Sequence, residues 1–217
     1  MSAAHAAPAQ GPDLDLAIHY YSRVVTPEGV LRESRYQERM MRRADHVWTA
    51  RVLPDTPAAH GADAAPARHE HERKHFNHVM LPRHVLRSNG QVRLEYVDLR
   101  EREVVSIPSS EYENVNFDGS WANAFFLLDP KLVAALPLVH RASPVAGAHW
   151  HEASKGGGYQ RVLWDDKRMI PLLIEKGDAA GRTLERIEIV PEPTLAKALP
   201  WAGARAYAQK EYADFLD

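Results

Sequence analysis

The chain has 217 residues, 45% of them apolar and 26% charged, enough for one domain with a substantial core and typical of a globular protein in water. Its 27 basic and 29 acidic residues give a formal charge of −2, so no cationic excess exists to drive counterion release from nucleic acid, and no nucleic-acid partner is expected. It has no cysteine, which excludes disulfides, thiolate zinc sites, iron–sulfur clusters and a cysteine nucleophile.

Residues 1–13 read as an N-terminal linker of small residues, as expected of a mature exported chain that has lost its signal peptide, and a periplasmic location is expected. Residues 14–217 read as a single β-rich domain. Residues 14–26 are rich in aliphatic, β-branched and aromatic side chains, and Pro27-Glu28-Gly29 supplies turn chemistry. Residues 30–41 and 46–53 continue the pattern, giving three strands of an antiparallel meander. Residues 54–84 read as a surface loop that opens with Pro54, Pro57 and Pro66 and contains a dense histidine cluster.

Residues 91–98 and 104–107 read as strands. Residues 109–121 gather polar and aromatic groups, suiting either a ligand mouth or a plain turn with Asp118 or Ser120 capping the next helix. Residues 121–138 are expected to be helical on both sides of Asp129-Pro130, with Asp129 as cap and Pro130 in the first turn. Residues 148–153 and 159–164 flank a glycine turn at 156–158, and residues 169–175 and 183–190 flank a second turn, so two hairpins are expected. Residues 204–216, with Tyr207, Tyr212 and Phe215, read as a terminal helix. The sum is eight or more strands and two or three helices, a mainly β (α+β) fold. No apolar run approaches the roughly 20 residues of a membrane-spanning helix.

Residues 161–181 (RVLWDDKRMIPLLIEKGDAAG) run strand, polar turn, proline-led strand and glycine turn, and residues 20–52 form long opening strands. Both segments resemble the periplasmic lipoprotein-carrier superfamily, which includes the outer-membrane lipoprotein carrier and receptor and the N-terminal domain of an envelope-stress regulator. The resemblance implies a curved antiparallel sheet, or half-barrel, packed on two or three helices. It also implies an apolar cavity for acyl chains or a partner's segment, and an envelope protein as possible partner. Trp48, Phe125, Phe126, Trp150 and Trp164 are the candidate cavity residues, chosen for aromatic character.

The histidine cluster lies outside that pattern. His69, His71, His75 and His78 fall within ten residues, and His60 and His84 flank them. Neutral imidazole is the commonest protein ligand for zinc and copper, so these four are the candidate metal ligands. On a helix His71, His75 and His78 would share one stripe, and in an extended chain His69 and His71 would share a face. His149 and His151, on a predicted strand, could join them in a composite site.

His71-Glu72-Arg73-Lys74-His75 also matches the H-E-x-x-H pattern of zinc peptidases, in which Glu72 would be the general base. The charged middle pair and Leu81, where the extended motif needs a third histidine, count against it. The mixed charge of the segment fits a solvated face equally well. The sequence therefore supports first a non-enzymatic exported binding protein. A zinc-dependent hydrolase and a structural or assembly subunit are the alternatives.

Overall fold

The computed structural model describes residues 11–53 and 76–215. Two antiparallel meanders make up nearly all of it. The first comprises β1 (Leu14–Val25), β2 (Leu31–Arg43), β3 (His46–Val52), β4 (Arg83–Ser88), β5 (Gln91–Asp98) and β6 (Glu103–Ile107). Two short helices follow, α1 (Trp121–Phe126) and α2 (Pro130–Ala134). The second meander comprises β7 (Leu138–Val139), β8 (Ala148–Lys155), β9 (Gly158–Asp165), β10 (Ile170–Asp178) and β11 (Thr183–Pro191), and α3 (Pro200–Ala204) and β12 (Ala208–Glu211) close the chain. β11 pairs antiparallel with β1, so the two meanders form one open, curved 12-stranded sheet in the order β12-β6-β5-β4-β3-β2-β1-β11-β10-β9-β8-β7.

Strand side chains alternate between faces, and the alternation here sorts two cores. On β1, Leu16 and Ile18 point to a large cluster, as do Met40 of β2, Val47 of β3, Leu94 of β5 and Ile189 of β11. Phe125, Phe126 and Val133 from the helices complete that cluster, so this face is called inner. Trp48, Val97 and Val104 point the other way and pack with Trp201 and Ala204 of α3 in a smaller outer cluster.

The helices begin as their sequence requires. Ser120 accepts from the Asn123 amide at 3.1 Å, and Asp129 accepts from the Lys131 amide at 2.8 Å with Pro130 in the first turn. Residues 109–121 form two short 3-10 turns leading to the Ser120 cap. In the β8–β9 hairpin Lys155 faces Gly158, and the two loop residues Gly156 and Gly157 have φ of 60° and 80°, a conformation only glycine adopts freely.

Among the described residues Arg42 is the largest fully buried side chain. It donates to the carbonyls of Pro12 at 2.9 Å, Phe125 at 3.1 Å and Arg168 at 2.8 Å. One guanidinium thus ties the chain start, α1 and the β9–β10 turn together, and burial lowers its pKa to about 10.

Two segments depart from the sequence expectation. β4 begins at Arg83, inside the stretch read as loop, and was not anticipated as a strand. The terminal helix expected over 204–216 does not form across the described residues 204–215: α3 ends at Ala204, β12 pairs in parallel with β6, and a 3-10 turn spans Tyr212–Phe215. The reason is that Tyr207 packs on the outer cluster while Tyr212 enters the inner one. A single helical stripe cannot serve opposite faces of a sheet, and pairing with β6 satisfies a free edge that a helix would leave open.

Candidate binding groove

The strand register lays a row of charges across the outer face. Glu152 of β8 stands opposite Arg161 of β9, Arg161 opposite Glu175 of β10, and Glu175 opposite Arg186 of β11. Arg161 reaches Glu152 at 3.4 Å and Glu175 at 3.3 Å; Arg186 reaches Glu175 at 3.4 Å and Glu188 at 2.6 Å. The row continues through Tyr21 of β1 to Arg35 of β2, whose guanidinium lies 5.1 Å from the Tyr21 ring centroid. Opposite charges facing across strands lock the register of the four strands β8 to β11.

Beside this row runs an apolar one. Trp150 stands opposite Leu163, and Leu163 opposite Leu173. The loop after β7 folds over it: Arg141 stacks on Trp150 at 5.2 Å, and the Trp150 indole N–H donates to the Ala142 carbonyl at 3.3 Å. Between loop and sheet lies a cavity of about 670 Å³, lined by Trp150, Leu163, Leu173, Val145 and Val190 and edged by Arg141, Arg161 and Arg186. A second cavity of about 690 Å³, bounded by Tyr21, Val52 and Leu53, shares Arg186 and Glu188 with the first, so the two form one groove. An apolar floor with a few convergent polar groups is the usual build of a small-molecule site, and each volume lies within the ~300–1,000 Å³ typical of one.

Of the aromatic residues chosen from the sequence, Trp150 alone lines this groove. Phe125, Phe126 and Trp164 belong to the inner core and Trp48 to the outer cluster under α3. Aromatic character marks burial, but not which buried rings border open space. Leu163, Leu173 and the arginines were missed. Their signal was the strand alternation within residues 159–175, usable once the Trp150–Leu163–Leu173 register is known.

His69, His71, His75 and Glu72 lie outside the described residues. His78 is described and sits near Asn116, 3.5 Å from its side-chain amide. Among the described residues no group of three or more His, Cys, Asp or Glu side chains could hold a metal ion. His149 and His151 are on β8, where His149 lies 3.4 Å from Asp166 and His151 lies 3.1 Å from the Leu136 carbonyl.

A different histidine pair comes together under α3. His84 contacts Glu95 at 3.2 Å through Nδ1 and His46 at 3.0 Å through Nε2, and both rings stack on Trp201 at 5.7 and 5.2 Å respectively. Burial and the adjacent His84 lower the His46 pKa below its ordinary 6.5. These contacts join α3 to the sheet.

No family model and no curated protein matches the chain. Solved structures similar to it include PNGF-II, at 9% identity and TM-score 0.39, covering 93% of this chain and 32% of that one. The MucA/MucB complex of Pseudomonas aeruginosa matches at 13% identity and TM-score 0.37, covering 84% of this chain and 53% of that one. A LolA superfamily protein of Nitrosomonas europaea matches at 9% identity and TM-score 0.31, covering 86% of this chain and 90% of that one. The chain spans about a third of PNGF-II and about half of the MucB chain.

Proposed function

We propose that this chain is a non-enzymatic, exported binding protein that holds an apolar chain or an apolar protein segment in its outer-face groove. The observation that carries the reading is the Trp150–Leu163–Leu173 floor, exposed to a cavity of about 670 Å³ and roofed by the Arg141 loop. Such a floor gains about 0.8 kcal/mol for each ligand methylene it takes out of water. The charged row beside it is self-compensated by cross-strand pairs, so it borders the ligand without demanding one particular charge. The aqueous face of a cell envelope is the compartment in which such a carrier would work.

Solvent extraction of the natively purified protein, followed by mass spectrometry, tests the reading. An apolar ligand should be released, and Trp150→Ala should retain about tenfold less of it. Recovery of no ligand, or of equal amounts from the variant, would remove the proposal.

A further inference from the structure

The inner face carries a polar pocket that adjoins one end of the groove. Its volume is about 190 Å³, and Tyr36, Glu38, Arg51, His78, Arg83 and Tyr96 line it. The register puts Glu38 directly opposite Arg51, and Arg83 directly opposite both Thr49 and Tyr96. The ion pair that the register offers is nevertheless not made. The Arg51 guanidinium lies over the Tyr36 ring at 3.9 Å, while the Glu38 carboxylate accepts from the Tyr20 hydroxyl at 2.9 Å. Among the described residues neither Arg51 nor Arg83 has a carboxylate within ion-pair distance.

Two guanidinium groups therefore share a half-buried pocket with one carboxylate. Withdrawing an excess cation from water is unfavourable unless a counter-charge joins it. The Tyr36 hydroxyl suits an anion as well. Burial raises the pKa of Tyr36, so it keeps its proton and can donate, while the Tyr96 hydroxyl donates to the Val115 carbonyl at 3.4 Å. Arginine forks with phenol donors are the chemistry that recognises carboxylate and phosphate oxygens.

We infer that this pocket binds a small oxyanion, a carboxylate or a phosphate, between Arg51 and Arg83. The volume admits a headgroup and little more. The pocket shares Tyr36 and Arg51 with the cavity bounded by Tyr21, Val52 and Leu53. An apolar tail attached to the anion would have that space to enter.

Isothermal titration with acetate, inorganic phosphate, hexanoate and hexyl phosphate tests the assignment and separates its two sources. Arg51→Gln and Arg83→Gln should each weaken binding about tenfold, the loss expected for one charge-assisted hydrogen bond, and the double variant should abolish it. Arg51→Lys and Arg83→Lys, which keep the charge, should bind more tightly than the glutamine variants. Tighter binding of the hexyl compounds identifies an amphiphile headgroup; equal binding identifies a free ion. Absence of saturable binding, or binding untouched in a folded double variant, overturns the inference. Because acetate and inorganic phosphate carry no apolar tail to enter the groove, failure here is distinguishable from failure of the carrier reading.

Discussion

Arg42 and Phe125 meet twice: the guanidinium carbon lies 4.6 Å from the Phe125 ring centroid, and Nη1 donates to the Phe125 carbonyl at 3.1 Å. A strand side chain thereby fixes both the position and the termination of α1, a helix too short to be stable alone.

Arg42→Ala would leave the Pro12, Phe125 and Arg168 carbonyls without their guanidinium donor and a cavity beside Phe125. The expected cost is about 3–5 kcal/mol, or roughly 10 °C in Tm. Arg42→Lys should recover only part, because an ammonium cannot reach three divergent acceptors. Thermal unfolding of the two variants checks this, and a loss below about 1 kcal/mol for alanine would contradict it.

Glu175 sits between Arg161 and Arg186 with little exposure. Glu175→Ala would leave two like charges facing each other across β10, at a cost of about 2 kcal/mol after allowance for the partial exposure of both arginines. Urea unfolding should show this loss diminish when Arg161 is also replaced by leucine. A loss that does not diminish would show that the two positions act independently.

The lowered pKa of His46 has a defined sign. Above pH 6.5 the imidazole is neutral in both folded and unfolded chains, and its contribution to stability is complete. Below pH 6.5 the unfolded chain takes up the proton first, so stability declines as the pH falls towards the folded-state value and then levels off. His46→Gln should flatten this part of the profile. Urea midpoints for wild type and variant across mildly acidic pH measure it; parallel profiles would rule out the assignment.

Gly177 is required by close approach. A Cβ there would lie 2.8 Å from the Thr183 carbonyl oxygen and 2.8 Å from the Tyr159 hydroxyl. Gly177→Ala should destabilise by about 1–3 kcal/mol, whereas Gly203→Ala, whose Cβ meets nothing within 4 Å, should not. Equal denaturation midpoints for the two variants would refute the steric account.

Much of the sheet was legible in the sequence because local rules governed it. Pro27-Glu28-Gly29, Gly156-Gly157 and Asp129-Pro130 are turn and cap signals whose meaning does not depend on distant partners. β4 was hidden because Arg83, His84 and Arg87 give it a loop's composition, and His84 is buried through distant partners, Glu95, His46, Trp48 and Trp201. The groove was less legible than the fold. Its floor comes from three strands, so no single segment announces it, and the buried rings of Phe125 and Trp164 have the same sequence character as the accessible Trp150. The Arg51–Arg83 pocket was invisible for a further reason, since it depends on an ion pair that the register permits and the side chains decline.

The pairing of β1 with β11 has a consequence for biosynthesis. During translation the first meander can assemble by itself, but the outer edge of β1 stays bare until Thr183–Pro191 has been made. A long unpaired edge is a template for adventitious strand addition, and the nascent protein must survive that interval. This pairing joins segments far apart in the sequence, so folding is expected to be slow and limited by a late, long-range closure.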